Sequence, residues 1–442
     1  MTTPADTAPG GVTPVIVPRP EHCISRANIS PGALKVLYGL KEAGYRACLV
    51  GGGVRDLLLG REPKDFDVAT DAHPEQIKAV FRSCRLIGRR FRLAHVRFGR
   101  EIIEVATFRA RHQDGDDEGA LNEEGRILRD NVYGDIEEDA FRRDFTVNAL
   151  YYDIADFSVV DYVGGLADLE AGMLRLIGDP EQRYREDPVR MLRAVRFAAK
   201  LGFRIHADTE APLFELGHLL EDVPAARLFE EILKLFLGGC ALSTFELLRH
   251  YDLFRYLFPL TEQALAREEQ GFPLVLVGKA LENTDIRLAG DKPVTPAFLY
   301  AALLWEPVRQ RAAELEAEGA GPLEAIQIAG NQVTSEQVQH TSLPKRFSYP
   351  MREIWMLQPR LERRRGKAPY RTLEHPRFRA AYDFLLLRAA CGEAPQELAD
   401  WWTDFQELNP REREAVVEKA PPGRKRRPRR RRRRKPAGGA DA

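Results

Sequence analysis

The spacing of apolar and polar positions divides the chain into two regimes. Across residues 45–110 short apolar runs alternate with brief helical stretches. Tyr45 to Val50 and Asp65 to Thr70 predict strands. Gly51-Gly52-Gly53 predicts a turn, and Val54 to Leu59 a short helix closed by Gly60. Pro74 to Arg82 predicts a second helix. Leu93 to Phe98 and Glu101 to Arg109 predict a hairpin around Gly99-Arg100. Residues 111–139 are acidic and poor in apolar side chains, which predicts a long mobile loop. From about Asp144 the helical period dominates. Asp187-Pro188 reads as a helix start, with Asp as N-cap and Pro at the first helical position, and Gly202 as the stop. Ala225 to Leu237, Ala241 to Phe258, Pro296 to Glu318, Pro350 to Arg365, Arg377 to Ala390 and Gln396 to Leu408 also predict helices. The expected class is α+β: a small head with a mixed sheet and helices, followed by an all-helical remainder.

Composition narrows the possibilities. A chain of 442 residues, 44% apolar and 30% charged, fits a soluble protein of several domains. No apolar run approaches the roughly 18 residues of a membrane span. Residues 1–22 are Pro/Gly/Thr-rich, predict an unstructured segment, and lack the basic and apolar regions of a secretion signal. The five cysteines, Cys23, Cys48, Cys84, Cys240 and Cys391, have no zinc spacing. Reduced thiols, no structural zinc and a cytoplasmic location are expected.

The formal net charge of zero conceals an uneven distribution. Arg424 to Lys435, with Arg431 near its centre, holds 11 basic residues; without it the chain has 55 basic against 66 acidic residues, a net of −11. A clustered arginine arm on an acidic body points to a polyanionic partner such as nucleic acid, because it displaces counterions from phosphates.

The strand KDFDVAT carries the clearest chemistry. Asp65 and Asp67 are two apart, so on a strand both carboxylates point to one face. Paired carboxylates repel unless a cation neutralises them, and hard oxygen ligands suit Mg²⁺. Two such ions could activate an attacking hydroxyl and stabilise a leaving pyrophosphate. The preceding LVGGGVRDLLLG lets backbone N–H groups of Gly52 and Gly53 approach a triphosphate, with Arg55 as a phosphate contact. It is neither a Walker A loop nor a dinucleotide fingerprint. Glu104, charged within the apolar run EIIEVATF, and Asp144, in RRDFTVNAL, are both candidates for a third carboxylate, and spacing does not choose between them.

These residues resemble the class II nucleotidyltransferases, which comprise bacterial poly(A) polymerases and tRNA CCA-adding enzymes. The resemblance spans about residues 23 to 410. It rests on LVGGGVRDLLLG followed by DFD, on RRDFTVNAL (Arg142 to Leu150), on DYVGGLADL (Asp161 to Leu169), on EDPVRMLRAVRF (Glu186 to Phe197) and on ARLFEEILKLF (Ala226 to Phe236). It implies a head (23–163), a helical neck (164–240), a helical body (241–410) and an unstructured tail (411–442). It implies that Asp65 and Asp67 hold the metals and that Arg143 and Asn148 help bind nucleotide. It also implies that Asp187 and Arg190 read the base and that DYVGGLADL is a flexible hinge.

Three residues apart at a helix start, Asp187 and Arg190 share a face and offer an acceptor beside donors. That pattern accepts adenine and cytosine and rejects guanine and uracil. Arg193 and Arg196 continue the stripe toward phosphate or RNA. Within the family, LIGRRFRLAHVRFG (Leu86 to Gly99) and the arginine-rich arm resemble the polymerases. The implied activity is template-independent addition of AMP from ATP to RNA 3′ ends (mRNA, regulatory RNA and decay intermediates), with tRNA CCA addition as the alternative. A non-catalytic RNA-binding protein is the alternative of another class. Arg360, Arg363, Arg364, Arg365 and Lys367, with Arg377 and Arg379, form the expected RNA track along a helix, and Arg424 and Arg431 extend it into the tail.

Overall fold

The computed structural model describes residues 12–88, 92–110, 132–267 and 275–419. The chain divides into two compact units, Met1–Leu220 and Glu221–Ala442. The division falls inside the segment 164–240 expected as a neck.

The first unit is built on an eight-stranded sheet. In chain order its elements begin β1 (Val15–Val17), α1 (Pro31–Glu42), β2 (Ala47–Val50), α2 (Gly52–Leu58), β3 (Asp67–Thr70), α3 (Pro74–Val80), β4 (Cys84–Ile87), β5 (Leu93–Phe98) and β6 (Glu101–Thr107). They continue with α4 (Ile136–Arg142), β7 (Leu150–Asp153), β8 (Val159–Asp161), α5 (Gly165–Glu170), β9 (Met173–Leu174), α6 (Pro180–Glu186), α7 (Val189–Leu201), β10 (Arg204–Ile205) and α8 (Ala207–Leu216). The sheet order is β1-β8-β7-β2-β3-β6-β5-β4. Only the β3–β6 pairing is parallel; the other neighbours run antiparallel.

Strand periodicity sorts the core. Leu49, Val68, Val105 and Tyr152 face one side, where they pack with Val36, Leu37 and Leu40 of α1. Val50, Ala69 and Tyr151 face the other, with Phe108, Ile136 and Ala140. Asp67, two residues before Ala69, therefore belongs to this second face. Helix α1 is fixed at its start by Ser30, whose hydroxyl accepts from the Ala33 N–H, and by Pro31 at the first turn.

Several expectations change. Residues 12–22 are not wholly unstructured: β1 pairs with β8 and closes the sheet edge. The acidic loop ends before 139. Tyr133 bridges Arg109, and Asp135 caps α4 in a reciprocal capping box with Glu138; residues 111–131 lie outside the described residues. The helical regime does not begin at Asp144, since β7 and β8 return to the sheet. Their buried runs LYYD and VVD show no alternation, and a short continuous apolar run does not distinguish strand from helix. Asp65 precedes β3 instead of lying on it.

Among the described residues the second unit contains helices and no strand. The tail expected to be unstructured from 411 begins as a helix, Pro410–Lys419, anchored by the buried Val417. The stretch Ala241 to Phe258 breaks at Asp252, which has a positive φ of 56°, and Pro296 to Glu318 breaks at Leu304. The helix expected from Pro350 starts earlier, at Lys345, and ends at Leu361, so Arg363, Arg364 and Arg365 follow it. The longest helix there, Pro322–His340, was not among the helices expected; its buried face includes Gly330, Thr334 and Gln337, which dilute the apolar period. No helix of the described residues is long and apolar enough to cross a membrane.

Candidate active site

Strand register assembles the site. Val50 pairs with Asp67, and Asp67 pairs with Glu104, so both carboxylates project from the same face. Immediately after Val50, Gly51 turns with φ 74°, a conformation that favours glycine. A Cβ there would stand 3.8 Å from Arg143 Nη1 and 3.9 Å from Asp67 Oδ2, so the turn, the guanidinium and the carboxylate crowd together. Gly52 and Gly53 open α2, and Gly53 lies against the Asp65 carbonyl. A cleft of about 260 Å³ results, lined by Asp67, Glu104, Arg109, Asp139, Arg142 and Arg143 among others.

Electrostatics mark Asp67. Its side chain reaches solvent at the cleft mouth but is walled by protein on its other sides. This enclosure, with Glu104 and Asp65 nearby and only Arg143 opposing them, pushes its carboxyl up to about 6. Glu104 Oε1 lies 3.1 Å from His95 Nε2. Of the two candidate third carboxylates, the structure brings Glu104 to Asp67. Asp144 is committed elsewhere. It accepts from the Phe145 N–H (2.8 Å), from Asn148 Nδ2 (3.2 Å) and from Arg193 Nε (2.9 Å). Burial alone would raise its carboxyl, but Arg193 and these hydrogen bonds bring it down to about 2.

Arg143 is held toward the cleft by three hydrogen bonds. Its Nε donates to Asp139 Oδ2 (3.1 Å) and to the Tyr151 hydroxyl (3.0 Å), while Nη2 donates to Asp139 (2.8 Å). Tyr151 in turn donates to Asp139 at 2.7 Å. Burial and Asp139 keep the Tyr151 hydroxyl protonated. Asp139 was unreadable within an acidic stretch expected to be loop, although its i,i+4 spacing to Arg143 was a usable signal.

Arg55 is not a phosphate contact here. It is 2% exposed, chelates Asp56 Oδ1 through Nε and Nη2, and donates from Nη1 to Asn148 Oδ1 at 2.5 Å. Its guanidinium also covers Phe197, 5.4 Å from the ring centroid. Asn148 is consequently buried as a link between Arg55 and Asp144 instead of opening to the cleft.

The base-reading pair sits at the α6–α7 junction. The Asp187 carboxylate accepts from the Val189 N–H (3.3 Å), while Arg190 is buried and donates to Glu186 (2.9 Å) and to the Arg183 carbonyl (2.7 Å). Arg183, not singled out by the sequence, donates to the carbonyls of Arg142 and Arg143 and so ties α6 to the cleft. Burial and Arg190 bring its guanidinium down to about 10. Arg193 and Arg196 both lie over Phe197. In DYVGGLADL, Asp161 accepts from the Gly165 and Leu166 N–H groups, and a Cβ on Gly165 would stand 2.2 Å from the Thr146 carbonyl, so this segment is tightly packed.

The expected RNA track is mixed. Arg363 and Lys367 are exposed, but Arg364 is largely buried and paired with Glu397 at 2.9 Å. Arg365 is exposed, while Arg377 and Arg379 pair with Glu353 and Asp383. Arg424 and Arg431 lie outside the described residues. Among the described residues no three His, Cys, Asp or Glu side chains are grouped closely enough to hold a metal ion by themselves. Two carboxylates open to a cleft nevertheless suit Mg²⁺, which completes its shell with water and substrate phosphates.

A mixed sheet presenting carboxylates beneath a glycine turn, followed by helices, defines a nucleotidyltransferase. Family comparison is specific. The poly A polymerase head domain matches residues 47–175, a probable RNA and SrmB-binding site of polymerase A matches 202–265, and the polymerase A arginine-rich C-terminus matches 318–436. Poly(A) polymerase I of Salmonella typhimurium is 51% identical over 410 residues, covering 91% of this chain and 88% of the relative. The chain belongs to the poly(A) polymerase I family. The CCA-adding enzyme of Lactobacillus helveticus is 37% identical over 215 residues, 49% of this chain and 52% of the relative. A solved tRNA-processing enzyme in an apo form shares the fold, with a TM-score of 0.59 at 23% identity over 89% of this chain and 98% of that one.

Proposed function

We propose that this chain is a polynucleotide adenylyltransferase that adds AMP from ATP to RNA 3′ ends without a template. The observation that carries the catalytic reading is the register that sets Asp67 beside Glu104 under the Gly51 turn, with Arg143 facing them. Similarity to poly(A) polymerase I across most of the chain, against about half for a CCA-adding relative, supports tailing over CCA addition.

Asp65 and Asp67 would hold Mg²⁺, with Glu104 beside them. When bound there, the metal supplies charge neutralisation for the attacking hydroxyl and the leaving pyrophosphate. Arg143, oriented by Asp139 and Tyr151, meets triphosphate charge with the cleft-lining Arg109 and Arg142. Gly51, Gly52 and Gly53 let the ATP triphosphate approach the backbone without side-chain obstruction. Asp187 and Arg190, one an acceptor and the other a donor, select the base from the start of α7. RNA is the second substrate, and the region matching a probable RNA-binding site (202–265) supports it. The cytoplasm is the fitting location, since RNA and ATP meet there.

The test is incubation of the protein with Mg²⁺, labelled unstructured RNA and each NTP separately. Long tails with ATP alone are expected. Addition of a few nucleotides, restricted to tRNA ending in C or CC, would overturn the assignment in favour of CCA addition.

A further inference from the structure

The second unit contains a groove that the proposed reaction does not use. It has a volume of about 840 Å³ and lies among the helices Leu276–Ala289, Pro296–Leu303, Lys345–Leu361 and Phe378–Ala390. Its floor is aliphatic, with Ala280, Val294, Ala297, Ile354 and Leu387. At its edge Ile286 is 63% exposed and extends the aliphatic floor to the surface. Lys279, Arg287, Arg346, Arg377 and Arg379 surround this floor, against the single acidic lining residue Asp383.

The cations are not equivalent. Lys279, Arg377 and Arg379 are paired with Glu282, Glu353 and Asp383. Arg287 donates only to the Pro293 carbonyl, and Arg346 lies over Phe347 at 4.8 Å; no carboxylate among the described residues pairs with either. Two exposed guanidiniums thus flank an apolar floor without acidic partners of their own among the described residues.

We propose that this groove docks an acidic amphipathic peptide segment of a partner protein. Apolar side chains on one helical face would enter the floor, and Glu or Asp beside them would pair with Arg287 and Arg346. Single-stranded RNA fits the lining less well, because base recognition needs an open aromatic face. The two lining rings are already engaged: Phe347 stacks on Phe229 and carries Arg346, and Phe298 packs edge-on against Phe384. The groove also lies outside residues 202–265, the segment similar to a probable RNA and SrmB-binding site.

The probe is a displayed library of random peptides, each about 16 residues or roughly four helical turns, selected on the full chain and counter-selected on the R287E/R346E double variant. Selected peptides should carry Leu, Ile or Phe at i, i+3/i+4 and i+7 with flanking Glu or Asp, and should bind with Kd on the order of 1 μM. Binding should weaken at least about tenfold on R287E/R346E, and also on Ala380→Trp, which fills the groove without altering its charge. AMP addition to a short RNA should be unchanged in both variants. Failure to enrich peptides over the double variant, enrichment of basic or purely apolar peptides, or displacement of the peptides by oligo(A) RNA would each overturn the proposal.

Discussion

Replacing Glu393 by Gln should remove a pH-dependent loss of stability from the second unit. Glu393 forms a carboxyl–carboxylate pair with Glu306, which is fully buried. Glu306 Oε2 accepts from Arg309 Nε (3.0 Å) and Nη2 (2.8 Å), and Glu393 Oε2 accepts from Trp305 Nε1 (2.7 Å). Arg388 approaches Glu393 at 3.8 Å and lies over the Trp305 ring. Burial, reinforced by Glu306, pushes the Glu393 carboxyl from 4.5 up to about 8. The folded value lies above the unfolded one, so the native state binds more protons in that window. The stability this contributes is complete below pH 4.5 and is lost as pH rises through about 8. The shift has a ceiling of about 5 kcal/mol, and relaxation around the buried pair reduces the observable part to roughly 2–3 kcal/mol. Gln mimics the protonated carboxyl: its amide donates to Glu306 and its oxygen still accepts from Trp305. Denaturant unfolding followed by tryptophan fluorescence from about pH 5 to about pH 9 should show wild type losing roughly 2–3 kcal/mol relative to E393Q. Parallel pH profiles for the two proteins would refute the shared proton.

Asp67→Asn should abolish AMP incorporation while raising the melting temperature of the metal-free protein, because it removes a carboxylate crowded by Glu104 and Asp65; an unchanged or lower melting temperature would contradict that crowding. Tyr151→Phe leaves Arg143 and Asp139 each one hydrogen bond short, and should lower kcat/KM for ATP about tenfold while costing roughly 1–3 kcal/mol of stability; steady-state kinetics beside a melting curve separate the two effects. Arg193→Met strands the buried Asp144 carboxylate and should destabilise the first unit by roughly 3 kcal/mol near neutral pH. Since Arg193 helps hold Asp144 down to about 2, a group lowered in this way contributes stability above its unfolded value and loses it on acidification, so the difference between the proteins should shrink as pH falls toward 2 in urea titrations.

What could be read in advance follows the range of the interactions involved. The β5–β6 hairpin was legible because two apolar runs flank Gly99, which has a positive φ of 62°. The stop of α7 was legible because Gly202, at φ 73°, is a local backbone requirement. Asp67 was legible as a face residue, and Glu104 was one of two candidates to join it, but the choice over Asp144 was not legible. Glu104 reaches it through a parallel pairing between strands that are not consecutive, which spacing cannot specify. Arg55 was misread for a related reason. Near a glycine turn an arginine suggests phosphate, and only tertiary packing reveals Asn148 and Phe197 closing over it. The basic stretch after Arg360 looked like one helical face, but the helix ends at Leu361 and Glu397 arrives from a distant helix to neutralise Arg364.

The motif RRDFTVNAL joins two functions because its neighbouring residues face opposite ways. Arg143 turns to the cleft, where Asp139 and Tyr151 hold it beside Asp67. Asp144 turns to α7 and grips Arg193. From there the contacts close on themselves: Arg193 lies over Phe197, Arg55 lies over the same ring and donates to Asn148, and Asn148 donates back to Asp144. The polar members of this ring hold one another, with Asp56 taking the remaining Arg55 donors, so the start of α7 is fixed relative to the strand carboxylates by a network, not by one contact. Two consequences follow. Loss of any one member should displace α7 as a unit, so single substitutions in the ring should cost nearly as much as double ones. And the base-reading residues at the head of α7 should lose selectivity between NTPs together with rate, because the same ring sets where the base and the triphosphate lie relative to each other.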